Sequence, residues 1–396
     1  MKVATCTPVD FRADDHFFSR DSGLLCRGFQ EAGHPCLSIM PGEALPGDAP
    51  DLLRCHRRDL ANPDWWRERA LDLVVLYAWG DPVYLDIARA IRKAGIRLIQ
   101  SLDTAGLPSP YADFATWRAW TLGMIGLPQP GKQKLRLAAK ALRDFVPACY
   151  DKKRAMMLDE CDELAAVSPS AFESIAAYVR AMGRPHIERK LAVVPHPVSP
   201  RFTYRGTPKK PTVVAVGRWD AASAAQKDPR MTMDVIGDLL SARADWNAVI
   251  IGRGATSLSD LTSGWSPQDR ERLTLYEFLD HPELVRHLDE ASIMLCASRY
   301  ESYHISSAEA VCCGCSVVVA DHPLLASTAW FTTASCGTLA PARTRQALAN
   351  ALSAEAEAWS TGQRNPSAIS QTWCSRLHAP EVAKRLAEGI VCVQPA

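Results

Sequence analysis

The sequence predicts an α/β fold in two domains, and three observations carry that prediction. Short apolar runs that suit buried strands alternate with helix-length segments, at residues 1–6, 36–40, 71–77, 96–101, 212–216, 246–251, 293–297 and 317–319. The 396 residues are enough for two full cores. Between the halves, residues 201–211 are polar, basic and proline-flanked, as an interdomain linker would be.

Composition narrows the function classes. Hydrophobic residues make up 47% and charged residues 22%, the balance of an ordinary globular protein. Forty-five Lys and Arg against 44 Asp and Glu offer no global attraction to nucleic acid or an anionic membrane. The start, MKVATCTPVDF, is too short and polar for a signal peptide, and no apolar run reaches membrane-spanning length. Thirteen cysteines without an export signal then read as reduced thiols of a cytoplasmic protein. Cys312, Cys313 and Cys315 form the tight cluster; their place at the small-residue end of a helix favours packing over metal binding.

In the first half, the loop after the first strand runs through Asp14, Asp15 and Ser19 to Gly23, and a helix at 24–32 is stopped by Gly33. The strand at 71–77 ends in Trp79-Gly80-Asp81-Pro82, a helix covers 85–94, and the strand at 96–101 leads to Ser101-Leu102-Asp103-Thr104. Asp103 could accept a hydrogen bond from a bound hydroxyl or cap the segment after it, and the residues leave both open. From 111 to 157 the strand signals stop. The string KQKLRLAAKALRDF, 132–145, lets Leu135, Leu137, Ala138, Ala141 and Leu142 share one face, with Lys132, Lys134, Arg136, Lys140 and Arg143 around it. That suits either a packing helix with a solvated basic face or contact with an anionic membrane surface. A strand at 163–167, a helix from Ser168-Pro169 to Gly183, and a strand at 191–194 running into Pro195-His196-Pro197 close this half.

The second half is organised around ligand-facing strand ends. The strand at 212–216 ends in Gly217-Arg218, and Lys227 follows a polar loop before a helix at 231–241. The strand at 246–251 ends in Gly252-Arg253-Gly254, and another at 273–279 contains Tyr276. Residues 291–320 read as strand, loop, helix and strand, with a small-residue helix from Ser306 to Cys313 stopped by Gly314. Ligands of such a βαβ unit sit beyond the carboxyl end of the strand. Glu301 on the loop and Glu309, expected about two turns into the helix, would both face that crevice. A solvated carboxylate is the plain alternative for each.

Together these motifs resemble the retaining glycosyltransferases of the family-four, or group 1, type. The usual string of that family is close to E-G-F-G-x-x-x-x-E-A-x-A-x-G-x-P-V-V. Here it stands as Glu301-Ser302-Tyr303-His304, then Glu309-Ala310, then Gly314-Cys315-Ser316-Val317-Val318. The family's G-R-(loop)-K stands as Gly217, Arg218 and Lys227, and its G-x-G as Gly252-Arg253-Gly254. The likeness is specific over 212–340 and diffuse before it. It implies the α/β GT-B fold, two Rossmann-like domains facing across a cleft. Residues 1–200 would be the acceptor domain, with a C-terminal helix within 376–396 packing back on it, and 208–375 the nucleotide-sugar domain.

The resemblance also implies roles. Arg218 and Lys227 would stabilise the leaving diphosphate, Glu301 would hold the sugar ring and Glu309 the ribose hydroxyls. Gly217, Gly252, Tyr276, His304, Ile305 and Ser306 would complete the donor site. Gly23 and Asp103 would lie on the acceptor side, Asp103 where the family commonly has a His. His304 stands where the family has Gly, and Glu277 replaces a common Gly beside the base.

The expected activity is transfer of a hexosyl group from a nucleotide sugar to an acceptor hydroxyl on a glycan, lipid carrier or small molecule, with retention. Fixed cations aimed at developing charge lower such a barrier. No Asp-x-Asp occurs in the chain, and the two cations can do the work a magnesium ion does elsewhere, so no cofactor or metal is expected. No nucleic-acid partner is expected, and any membrane contact would be peripheral at the inner face, through 132–145. Two other readings share the fold: a sugar-phosphate-using synthase, which would need an extra basic cluster, and a catalytically silent nucleotide-sugar-binding scaffold, for which the missing His and His304 argue.

Overall fold

The computed structural model describes residues 1–11, 17–127, 130–145, 149–333 and 335–389. The chain forms two compact units, Met1–Thr121 with Arg136–Ser199 and Arg376–Ala396, and Leu122–Leu135 with Pro200–Ser375. The segment 122–135 therefore joins the second unit rather than the first.

In the first unit seven parallel strands, β1 (Val3–Cys6), β2 (Cys36–Pro41), β3 (Leu52–Cys55), β4 (Leu73–Tyr77), β5 (Arg97–Ser101), β6 (Glu163–Ala166) and β7 (Leu191–Val193), lie in the order β3-β2-β1-β4-β5-β6-β7. β4, LVVLY, is buried at every position, as expected of a strand with helices over both sheet faces. The strand order reverses direction at β1, so a switch point lies between β1 and β4. One face is covered by helices Asp21–Glu31 and Ala379–Glu388: Leu25 and Phe29 pack with Val382, Ala383 and Leu386 against Val3 and Val75. Gly28 permits that packing, since a Cβ there would meet the Ala379 carbonyl oxygen at 2.4 Å. Residues 390–396 of the expected C-terminal segment lie outside the described residues, as do Asp14 and Asp15.

Edge strand β3 has no counterpart in the sequence reading. Its Arg54 is almost wholly buried and lies 2.8 Å from both Asp10 and Asp48, an ion cluster that masks the apolar pattern. Residues 114–160 form three helices, Phe114–Gly126, Gly131–Asp144 and Cys149–Glu160. In the middle one Leu137, Ala138 and Ala141 are half-buried, but Leu135 and Leu142 are each 72% exposed. The single apolar face expected there is therefore split.

The second unit carries six parallel strands, β8 (Lys210–Val216), β9 (Asn247–Ile251), β10 (Leu273–Tyr276), β11 (Ala291–Cys296), β12 (Ser316–Ala320) and β13 (Gly337–Ala340), in the order β10-β9-β8-β11-β12-β13. β11 and β12 are buried throughout. The expected linker is instead tied down. Phe202 is buried, Arg205 N–H and Thr207 Oγ1 donate to Asp289, and Lys209 Nζ donates to the Leu288 and Cys313 carbonyls. Glu355, with no exposed side-chain surface, receives Arg364 in a two-pronged pair at 2.6 and 2.7 Å.

Candidate active site

At the carboxyl edge of the second sheet, β8 and β9 end in glycine because their backbones touch. Gly217 N–H donates to the Ile251 carbonyl (3.0 Å) and Gly252 N–H to that of Tyr276 (2.8 Å). A Cβ on Gly252 would lie 1.8 Å from the Gly217 oxygen, and its φ of 121° is itself a glycine conformation. Glu277, in place of the family's Gly, accepts from Gly254 N–H (2.6 Å) and Thr256 Oγ1 (3.0 Å). The Gly254 N–H leads in holding its carboxyl below the usual carboxylate value. Glu277 thus fastens the β9 turn to the end of β10, and the Tyr276 ring lies 5.0 Å from that of His287.

Lys227 ends a short helix, Ala224–Lys227, and is fixed from behind. The next residue, Asp228, takes a left-handed φ of 49°, caps helix Pro229–Ala242 and is gripped by Arg299 (3.0 Å) and Arg343 (2.5 Å). Lys227 Nζ then lies 2.7 Å from Glu301 Oε1, with both side chains largely buried. Gln226 Nε2 donates to the other carboxylate oxygen at 3.2 Å, and Glu301 N–H to the Leu324 carbonyl at 2.9 Å. Burial acts to raise the Glu301 pKa; His304 and Lys227 overcome it and hold the carboxyl below its ordinary value.

His304 caps helix Ile305–Cys312 from a left-handed backbone, φ 68° and ψ 72°. Glycine adopts that conformation without strain; a side chain there costs about 1–3 kcal/mol. Its Nδ1 lies 2.6 Å from Ser307 Oγ. Burial, then the Lys227 charge, depress the imidazole pKa to about 4, so it is neutral at physiological pH. Ile305 and Ser306 form the first turn, where backbone N–H groups lack intrahelical acceptors and anions are favoured. Glu309 is the fifth helical residue, just over one turn in rather than two. It keeps part of its surface open, yet burial pushes its carboxyl up to about 8. Among the described residues neither the Glu309 carboxyl nor the exposed Arg218 guanidinium has a hydrogen-bond or ion-pair partner.

Cys296, Glu301 and His304 place a thiol, a carboxylate and an imidazole within 4.8 Å of one another, the donor types of a soft metal site. The Glu301 carboxylate of that set already pairs with the Lys227 ammonium at 2.7 Å.

In the first unit Gly23 lies inside helix Asp21–Glu31, not on a loop; a Cβ would meet the Phe17 carbonyl oxygen at 2.3 Å. Its requirement is packing. Asp103, with φ 32°, bonds to His196 Nε2 (2.5 Å) and accepts from Trp79 Nε1 (3.0 Å). These bonds, not a helix cap, use its carboxylate. No local pattern signals the His196 partnership, 93 residues away along the chain.

Residues 210–356 match the family described as glycosyl transferases group 1. Over this stretch, well under half of its length, the chain is similar to the group 1 glycosyltransferases. No curated protein matches the chain in sequence. Among solved structures, HepE of Anabaena in complex with UDP is 12% identical, with a TM-score of 0.61 over 98% of this chain and 99% of that one. WaaB, a lipopolysaccharide outer core galactosyltransferase, is 14% identical with a TM-score of 0.61 over 98% of each chain. A Listeria monocytogenes protein assigned as a UDP-N-acetylglucosamine 2-epimerase is 12% identical with a TM-score of 0.55, over 98% of this chain and 95% of its own. At such identities the likeness establishes the GT-B fold alone. It does not choose the reaction, because one fold hosts several chemistries.

Proposed function

We propose that this glycosyltransferase moves a hexosyl group from a nucleotide sugar to an acceptor hydroxyl, with retention and without a metal. The observation that carries the reading is the set of unsatisfied groups around one strand-end crevice. The Arg218 cation and the first-turn N–H groups of helix Ile305–Cys312 suit a diphosphate, and the Glu309 carboxylate suits a pair of ribose hydroxyls. Lys227 is held where a cation can meet leaving-group charge, which supports a metal-free mechanism. The solved complex of HepE with UDP is consistent with a nucleotide donor. No enzyme nucleophile is assigned; the departing phosphate would take the acceptor proton as the acceptor attacks the same face of the sugar. Product made in excess EDTA from an α-linked donor should show an α-anomeric signal by NMR. A β-linked product, or loss of turnover on chelation, overturns these two parts of the reading.

Helix Gly131–Asp144 exposes Leu135 and Leu142, seven residues apart and so on one face, beside exposed Lys132, Lys134 and Arg136. No described helix is long and apolar enough to cross a membrane. A cytoplasmic protein touching anionic lipid through this helix fits that pattern. Co-sedimentation with phosphatidylserine vesicles should fall in Leu135→Asp/Leu142→Asp; equal sedimentation would remove the membrane reading.

A further inference from the structure

The cysteine cluster at the end of helix Ile305–Cys312 does not act as one unit. The Cys315 sulfur lies 3.1 and 3.2 Å from the Leu288 and Ala291 carbonyl oxygens, with Lys209 Nζ at 3.7 Å, so its surroundings are filled. Cys312, wholly buried, is the last residue of the helix and faces a different partner. Its sulfur lies within 4.8 Å of that of Cys374, 62 residues further on in helix Pro366–Leu377. Among the described residues no cysteine is in a disulfide. These two thiols are near enough to be joined, and they are not.

Packing seats Cys374 against the helix end. Ser370 Oγ donates to the Cys312 carbonyl at 2.6 Å, and the Cys374 sulfur lies 3.6 Å from the same oxygen. Buried Trp373, the preceding residue, packs its ring 5.0 Å from that of Trp330 and 5.1 Å from that of Phe331. At the start of the same helix a Cβ on Gly314 would meet the Pro366 carbonyl oxygen at 2.7 Å, so the backbones already touch. Helix Pro366–Leu377 has no room to come closer.

The two sulfurs differ in access. Cys374 is partly exposed, whereas burial, then contact with Cys374, push the Cys312 thiol well above its ordinary pKa. Oxidation starts at accessible sulfur, so Cys374 is the point of attack and Cys312 the thiol behind it. Cys26 and Cys36 also meet, but they are 0% and 5% exposed, and neither offers an oxidant a way in.

We propose that Cys374 and Cys312 are a modification site, a thiol pair that a peroxide converts reversibly to a disulfide. The Cys374 sulfur attacks one oxygen of hydrogen peroxide; the O–O bond breaks, the departing hydroxide takes the thiol proton as water, and a sulfenic acid remains. The Cys312 sulfur then attacks the Cys374 sulfur; the S–O bond breaks, and that hydroxide leaves with the Cys312 proton as a second water. Two thiols have lost two electrons and one peroxide has gained them. The new bond is about 2.05 Å long. With helix Pro366–Leu377 seated, closure must draw in the last turn of helix Ile305–Cys312. Cys312 is three residues beyond Glu309 on that helix, so the movement reaches the residues proposed to hold the nucleotide. This consequence rests on the transferase reading; the thiol pair does not.

The full-length protein would be treated with hydrogen peroxide and its peptides mapped by mass spectrometry, beside Cys374→Ser and Cys312→Ala. A Cys312–Cys374 cross-link should form about tenfold faster than one between Cys26 and Cys36, and should disappear with dithiothreitol. Cys312→Ala should instead accumulate a sulfenic acid at Cys374 that dimedone traps, and Cys374→Ser should show neither product. The UDP-induced melting shift should fall by about half or more in the oxidised wild type, return with dithiothreitol, and withstand peroxide in Cys374→Ser. No Cys312–Cys374 cross-link, or one no faster than that of Cys26 and Cys36, overturns the pair. A cross-link that leaves the UDP shift intact overturns its connection to the nucleotide site. Absence of a UDP shift in the reduced wild type counts instead against the transferase reading, and the peptide map still decides the thiol pair.

Discussion

Replacing Lys227 with Met probes both stability and chemistry, because its ammonium neutralises a carboxylate that is only 6% exposed. Removing one partner of a buried pair costs about 3–5 kcal/mol, since the other charge is left uncompensated. The pH dependence gives the sign. In the wild type the depressed Glu301 pKa contributes stability that is present above the unfolded value, about 4.3, and is lost as pH falls through the folded value. Without Lys227, burial drives that pKa up, so the variant is weakest at neutral pH and regains ground on the wild type as pH falls toward 5. Urea unfolding at pH 7.5 and pH 5 measures this directly. Lys227→Met/Glu301→Gln should recover part of the neutral-pH loss. In turnover, losing one charge-assisted hydrogen bond to the leaving group, worth roughly 1.5–3 kcal/mol, lowers kcat about 10–150-fold. A Lys227→Met protein with wild-type stability at both pH values and kcat within twofold would refute the reasoning.

Three further outcomes follow from the same geometry. With the Glu309 carboxyl pushed up to about 8, nucleotide affinity should rise about tenfold from pH 7 to 9 as the carboxylate forms, and Glu309→Gln should bind weakly with no such slope; titration calorimetry across that range reads it. His304, depressed to about 4 against an unfolded value near 6.5, makes folding less stable as pH falls between those values, on the order of 3 kcal/mol in all. His304→Asn should flatten that part of the melting-temperature profile, and an unchanged profile would mean that His304 does not titrate so. Arg364→Leu should destabilise by about 3–5 kcal/mol in urea by orphaning the fully buried Glu355, with Arg364→Leu/Glu355→Leu recovering most of it.

Much of the fold was legible because its signals are local. The runs at 71–77, 293–297 and 317–319 are apolar throughout, as strands covered on both faces must be, and they became β4, β11 and β12. β3 was not legible, because Arg54 turns inward to Asp10 and Asp48 and breaks the pattern. Residues 201–211 read as a linker because they are polar, yet Asp289 and the Cys313 carbonyl take up their donors. Resemblance alone put Lys227 and Glu301 in one donor site, and their direct contact, across 74 residues of chain, was not foreseen. His196 carried no signal of its role at all. A buried His–Asp pair is made by topology, which brings the ends of β5 and β7 to one sheet edge, and no spacing along the chain encodes it.

The most direct test of the central claim is the melting temperature of the purified protein with UDP-, GDP-, ADP- and dTDP-sugars, repeated on Glu309→Ala and Arg218→Ala. A ligand at a hundred times its dissociation constant adds about 2.7 kcal/mol of stability. The account predicts a shift with one nucleotide class, lost in both variants. No shift with any nucleotide sugar at millimolar concentration, or a shift that both variants keep, would contradict it.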